Sequence, residues 1–252
     1  MENFKYAKYY LLDKHYKSDS FTNGRKFKKF FNDFAYKVFE INLTMQKDIG
    51  EFPFILGERT GYASMAHALH LITPYVYSEV GLDCKGSKKP IRNAQGKDKN
   101  TRSVDLWCQL GKGEEALQIW IEHKYLWLNV STKASAEFNT ICLEIISQAR
   151  EQIRDIKKLQ FEGLKVATFA IQVYANKNHI MTNDELESVP EYIESVLADY
   201  KDGRSYMGAL CGVLDLRESI AKAGIEEIYH RYSDYDIEIY TPYVVFGAIV
   251  LQ

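Results

Sequence analysis

The sequence predicts an α/β fold in which helices alternate with the strands of a mixed sheet. Between residues 58 and 174, the pattern of apolar residues changes in the order helix, three strands, helix, strand. A glycine-containing turn at 111–115 separates two apolar segments, as expected for a β-hairpin. Helices interleaved with strands indicate layers of helix and sheet, not a sandwich or a helical bundle.

The first elements are predicted to be helices. Apolar side chains recur at helical spacing over residues 26–47, which indicates an amphipathic helix. Pro53 and Gly57 interrupt the pattern before a second helix at 58–72, which Pro74 ends.

Strands dominate the next part of the chain. We predict a short strand at 75–80, a glycine- and lysine-rich loop at 81–101, and an antiparallel hairpin from strands 103–110 and 117–128. An apolar helical face then predicts a long helix at 138–160, and 165–174 is another apolar strand. The remaining expectations are a helix at 184–200, a strand at 206–214, a helix at 217–231 and a strand at 237–251.

The whole chain of 252 residues is within the length of one domain. We divide it into an N-terminal helical extension (1–57), a core (58–174) and a C-terminal α/β extension (175–252) that packs on the core. A content of 46% apolar and 26% charged residues excludes disorder, collagen and coiled coil. Without a long apolar run or a secretory signal, the sequence predicts a cytoplasmic protein with no membrane contact.

Basic residues cluster in the predicted loop. Residues 85–102 hold seven basic side chains and one acid, although the net charge of the chain is −2. A basic loop on an otherwise acidic protein can contact a phosphate backbone, and the alternative is a solvated lysine loop. The candidate nucleic-acid contacts are Lys88, Lys89, Arg92, Lys97, Lys99 and Arg102.

The residues that indicate chemistry lie in the predicted hairpin. Glu122 and Lys124 are two residues apart in an apolar strand and therefore point to the same face. Burying either charge alone is costly, so the pair must satisfy itself, coordinate a ligand or lie at an edge. Asp105, on the preceding strand, lies near Glu122 if the hairpin forms. Two carboxylates beside a lysine suit a hard divalent cation, with the lysine orienting a water.

These residues resemble the PD-(D/E)XK nuclease superfamily over about residues 58–174, with Val104 where the family's proline would stand. The resemblance implies a restriction-endonuclease-like α-β-β-β-α-β core and a site that holds Mg²⁺ or Mn²⁺. It assigns Asp105 and Glu122 as metal ligands, His123 through its backbone carbonyl, and Lys124 as the residue that positions the attacking water.

The same resemblance adds three candidate site residues. A further acid upstream of Asp105 would be Glu58 or Glu79, and a glutamine on the helix after the motif would be Gln148. Each has an ordinary alternative: Glu58 is favoured by the helix dipole, Glu79 suits a surface, and Gln148 suits an exposed helical position.

The leading expectation is therefore a Mg²⁺-dependent phosphodiester hydrolase, a DNA endonuclease of the restriction, repair or defence type. Double-strand cleavage uses two active sites, which favours a homodimer or a protein partner. The alternative is a non-catalytic nuclease-fold binding module, or a subunit of a larger complex, in which Glu122 and Lys124 form a structural ion pair.

Overall fold

A seven-strand mixed sheet with helices on both faces organises this chain, for which we describe a computed structural model. The structure describes residues 7–83, 91–92, 98–99, 101–131, 135–158, 162–176, 181–199, 206–219, 229–232 and 237–251.

The helices are α1 (Gly24–Ile49), α2 (Glu58–Ile72), α3 (Ser135–Lys158), α4 (Asn183–Glu187) and α5 (Val189–Asp199), with 3₁₀ turns at Pro53–Ile55 and Gly113–Glu115. The strands are β1 (Lys8–Leu12), β2 (Val76–Asp83), β3 (Ile91–Arg92), β4 (Asp98–Lys99), β5 (Thr101–Leu110), β6 (Leu117–Asn129), β7 (Leu164–Asn176), β8 (Tyr206–Asp215), β9 (Tyr229–Tyr232) and β10 (Ile237–Leu251). Across the ranges given above, none of these helices combines the length and the apolar character needed to cross a membrane.

The strand order across the sheet is β1-β8-β10-β7-β6-β5-β2, and β9 pairs with the first residues of β10. β6 and β7 are parallel, and the other strand pairs that the structure describes are antiparallel. α3 connects β6 to β7, because two parallel strands need a crossover of this length. β3 and β4 form a separate two-stranded ladder.

Two apolar cores lie on the two faces of the sheet. The first packs α1 and α2 against the sheet, and the second packs α3 and α5 against the opposite face. β10 contributes to both, with Val244 and Phe246 in the first core and Val245 and Ile249 in the second. This explains why β10 is continuously apolar from Tyr243 to Leu251: a strand covered on both faces has no solvent side.

Phe246 connects three elements of the first core, and its removal is expected to be costly. Its ring lies 5.2 Å from that of Phe34, 5.1 Å from that of Phe54 and 6.2 Å from that of His123. We expect Phe246→Ala to lower the free energy of unfolding by about 3–5 kcal/mol, because it leaves a cavity. Urea denaturation would measure this loss, and a loss below about 1 kcal/mol would contradict the packing described here.

Most predicted elements are confirmed, among them α1, α2, α3 and the β5–β6 hairpin. Three expectations are corrected by strand pairing. The region 1–57 is not wholly helical, because β1 pairs with β8. Residues 229–231, expected to be helical, lie in β9 and pair with β10. The stretch 81–101 is not entirely loop, since β2 continues to Asp83 and β3 pairs with β4.

The expected C-terminal extension also differs from the structure. β8 and β10 do not form a unit that packs on the core, because β10 pairs directly with β7 in the same sheet. The sheet therefore runs without interruption through the predicted boundary at residue 175.

Candidate functional site

The site lies where β5 and β6 separate. The β5–β6 ladder extends from Leu110 to Leu106, which pairs with Ile121, and it ends there. In the neighbouring β2–β5 ladder, Ser78 and Val80 are paired but Glu79 between them is not, and the φ of Glu79, 49°, lies in the left-handed region. Leu106 packs in the first core and Val104 in the second, so the alternation of side chains is interrupted between them. The interruption falls at Asp105.

Asp105 uses this gap to contact β6 directly. Its Oδ2 accepts a hydrogen bond of 2.7 Å from the backbone N–H of His123. A strand N–H that has no ladder partner needs another acceptor, and the carboxylate supplies it. The contact fixes Asp105 beside Glu122, the neighbour of His123 in the chain.

Glu122 and Lys124 form an ion pair within the sheet. Lys124 Nζ donates to Glu122 Oε1 at 2.8 Å, and it lies 3.6 Å from Glu58 Oε1. The side chain of Glu122 is 2% exposed and that of Lys124 is 13% exposed. The second oxygen of Glu122, Oε2, is buried and has no hydrogen-bond partner among the described residues. The pair is thus satisfied on one oxygen and leaves a buried acceptor on the other.

The first turn of α2 adds two groups to the site. Glu58 begins the helix, and the hydroxyl of Tyr62 donates to Glu58 Oε1 at 3.1 Å. Burial, followed by the charge of Asp105, raises the pKa of this hydroxyl, which shows that Tyr62 and Asp105 interact electrostatically. Tyr62 was not among the residues predicted from sequence, although its spacing of four from Glu58 places both side chains on one helix face.

Three carboxylates and one lysine therefore share a partly buried space. Burial, followed by the charge of Asp105, raises the pKa of Glu122 to about 7, and Lys124 acts in the opposite direction. Burial also raises the pKa of Asp105. Burial acts to lower the pKa of Lys124, but Glu122, Glu58 and Asp105 together outweigh it and raise that pKa. The site favours an additional positive charge, because negative charge is held there at a desolvation cost.

The ring of His123 lies in the first core. It packs 5.9 Å from the ring of Phe54, and its Nδ1 is 3.0 Å from Thr168 Oγ1. Burial lowers the pKa of His123 to about 3, so the ring is neutral at physiological pH. The backbone N–H of His123 faces the site and donates its hydrogen bond to Asp105, whereas the ring of His123 lies in the first core.

The other sequence candidates are not brought into this cluster by the contacts that the structure describes. Glu79 is exposed on β2, and Gln148 is exposed on α3. Within the basic stretch, Arg92, Lys99 and Arg102 lie in β3, β4 and β5, whereas Lys88, Lys89 and Lys97 lie outside the described residues.

The donor set for a metal is small. In the described part of the chain, no group of three or more His, Cys, Asp or Glu residues is placed to hold a metal ion. The residues that fit a hard cation are Asp105 and Glu122, and the observation that supports the fit is the unpartnered buried Oε2 of Glu122.

Removing the Tyr62 hydroxyl is expected to weaken metal binding. Tyr62→Phe deletes the donor that hydrogen-bonds Glu58 and interacts electrostatically with Asp105, so Glu58 loses its orientation and the carboxylates repel one another more strongly. We expect the dissociation constant for Mn²⁺ to rise roughly tenfold, since a hydrogen bond to a charged group contributes about 1.5–3 kcal/mol. Calorimetric titration would measure it. Tyr9→Phe, which deletes a hydroxyl bonded to Asn32, is the matched control, and equal affinities in both variants would contradict this role.

We find no match to this chain among protein-family models, curated proteins or solved structures. The function of the site is therefore inferred from its residues and their geometry.

Proposed function

We propose that this protein is a metal-dependent phosphodiester hydrolase that acts on nucleic acid, and specifically a DNA endonuclease. The observation that carries the proposal is the convergence of Asp105 with the buried Glu122–Lys124 pair at the point where β5 and β6 separate. These three residues are the ones to which the PD-(D/E)XK resemblance assigns the metal and the attacking water.

The order of elements around the site supports the same proposal. α2 precedes the antiparallel strands β2, β5 and β6, and α3 then crosses to β7, which is parallel to β6. With the separate β3–β4 ladder left aside, this α-β-β-β-α-β order agrees with the core that the resemblance implies. Glu122 and Lys124 lie on its third strand, next to the parallel fourth strand.

Each residue has a separate role in the proposed reaction. Asp105 and Glu122 would hold Mg²⁺ or Mn²⁺, which supplies positive charge for the phosphate oxygens when it is bound. The Lys124 ammonium donates a hydrogen bond to a water and orients it toward phosphorus. Glu58 helps to hold the Lys124 ammonium, and Tyr62 orients Glu58 through its hydrogen bond. His123 supports the site through its backbone, since its ring is buried elsewhere.

Cleavage assays test the proposal directly. Supercoiled plasmid, linear duplex and single-stranded DNA would each be incubated with the protein in Mn²⁺, Mg²⁺ or EDTA, with RNA as a comparison. We expect nicked or linear products with Mn²⁺ and none with EDTA. Absence of metal-dependent cleavage in every substrate would reject the hydrolase.

A second candidate function is a non-catalytic binding module. It is favoured by the 2.8 Å contact between Glu122 and Lys124, because an ion pair that satisfies itself needs no metal. This alternative leaves Glu122 Oε2 buried without a partner, which costs free energy and which a bound cation would relieve. Calorimetry distinguishes the two: the hydrolase binds Mn²⁺ and the module does not.

The basic stretch is expected to affect binding more than catalysis. Replacing Lys88, Lys89 and Arg92 together by alanine should weaken DNA binding and flatten its salt dependence. Each lost phosphate contact should reduce the slope of log K against log [salt] by about 0.9 on duplex DNA. Titrations at several salt concentrations with EDTA present would measure this. Unchanged binding at low salt would assign these residues to a solvated loop.

A further inference from the structure

Trp127 is an exposed aromatic residue on the strand that carries the site. Its exposure is 53%, whereas Trp120 is 6% exposed and Trp107 is of intermediate exposure. It follows Lys124 by three residues in β6, a distance of roughly 10 Å along a strand. A large aromatic side chain left half in solvent forgoes the free energy of burial, so its position calls for a physical explanation.

The orientation of the Trp127 ring is fixed by its neighbours. Its indole N–H donates to the hydroxyl of Tyr125, and the two rings lie 5.3 Å apart at 88°. The Tyr125 hydroxyl in turn contacts the carbonyl of Ile55 and lies 3.0 Å from Gln172 Oε1. The exposed ring is therefore held in place before any ligand binds, which reduces the entropy cost of binding.

Lys124 of the site and Tyr125, which holds the Trp127 ring, contact the same short segment of the chain. Strand alternation points Lys124 and Trp127 to opposite faces of the sheet. Lys124 nevertheless contacts Glu58, and Tyr125, on the same face as Trp127, contacts Ile55. Ile55 and Glu58 are three residues apart, at the junction of the 3₁₀ turn with α2. Leu56, between them, is also exposed and adds apolar surface there.

We propose that Trp127 is a base-stacking subsite that takes an unpaired nucleobase of the strand whose phosphate is bound at the Asp105–Glu122 site. This inference rests on the proposed function and narrows its substrate class. An aromatic ring stacks on the face of any base, and that face is accessible in a single strand or when a base has left the helix. The preferred substrate is accordingly single-stranded DNA, or duplex DNA opened at the cleavage position.

Tryptophan fluorescence and binding affinity test the subsite without relying on cleavage. The full chain in EDTA would be titrated with a labelled single-stranded oligonucleotide and with the matching duplex. We expect the single strand to quench the tryptophan emission of the wild-type protein. In Trp127→Phe, the same oligonucleotide should cause much less quenching. We expect Trp127→Ala to raise the Kd for the single strand roughly tenfold or more and to change the Kd for the duplex less.

The control is Tyr77→Ala, which removes another exposed aromatic side chain, from β2, and should leave the Kd unchanged. Unaltered affinity and quenching in the Trp127 variants, in a protein that still cleaves DNA, would overturn the subsite and leave the hydrolase standing. A wild-type protein that neither binds nor cleaves any nucleic acid would overturn both. A wild-type dimer that Trp127→Ala converts to a monomer would assign the ring to a protein contact and reject the subsite.

Discussion

Glu122→Gln is expected to abolish DNA cleavage while the protein remains folded. Glutamine keeps an acceptor for Lys124 but removes the negative charge that would hold the metal. We expect the cleavage rate to fall roughly a thousandfold or more, as when a principal electrostatic group leaves an active site. Without metal the variant should be at least as stable as the parent, because a buried carboxylate has been neutralised. Mn²⁺ should raise the Tm of the parent and not that of the variant.

Glu194→Gln provides a matched control for this experiment. Glu194, on α5, is also a fully buried glutamate, and its Oε1 accepts a hydrogen bond of 3.2 Å from the backbone N–H of His15. The same substitution there should leave cleavage and the Mn²⁺ response at parental values. Cleavage that persists in Glu122→Gln would reject the assignment of Glu122 as a ligand.

Lys124→Ala is expected to abolish turnover, and its effect on stability separates the two candidate functions. The substitution removes the one side chain that hydrogen-bonds the Glu122 carboxylate in the described structure, so a buried carboxylate loses its cation. We expect a loss of about 3–5 kcal/mol of unfolding free energy in EDTA. If Asp105 and Glu122 bind metal, Mn²⁺ should restore part of that loss, because the ion supplies the missing positive charge.

Arg217→Met tests whether such restoration is specific. Arg217 forms a separate ion pair of 2.8 Å with Asp215, and its side chain is also largely buried. This variant should lose stability in EDTA, regain none of it with Mn²⁺ and cleave DNA as the parent does. If Mn²⁺ restores neither variant, the Glu122–Lys124 pair is structural and the non-catalytic module is favoured.

Much of the fold could be predicted because its signals are local. The apolar periodicity of α1 and the hairpin turn between β5 and β6 need no information from distant residues. β1 and β9 were not predicted because both strands are short. The partner of β1, β8, is far along the chain, and the partner of β9 is the first part of β10, where the strand is irregular. Their conformation depends on pairing with β8 and β10, which propensity does not record.

The candidate site divides in the same way. The proximity of Glu122 and Lys124 follows from strand alternation, and the contact of 2.8 Å agrees with it. The hydrogen bond from the His123 backbone to Asp105 could not be predicted, because it arises where two strands separate. Tyr62 and Trp127 could not be predicted for a related reason. The contact of Tyr62 with a carboxylate and the exposure of Trp127 both depend on tertiary packing.

The position of β10 has a consequence for when the site forms during protein synthesis. β10 lies between β7 and β8, although it follows both in the chain. Translation at about 5–20 residues per second delivers the 36 residues that follow Asp215, up to Leu251, in roughly 2–7 s. During that interval the nascent chain exposes two apolar strand edges, which chaperones can bind. β7 supports the strand that carries Glu122 and Lys124, so we expect the newly made protein to gain its site only after β10 has emerged from the ribosome.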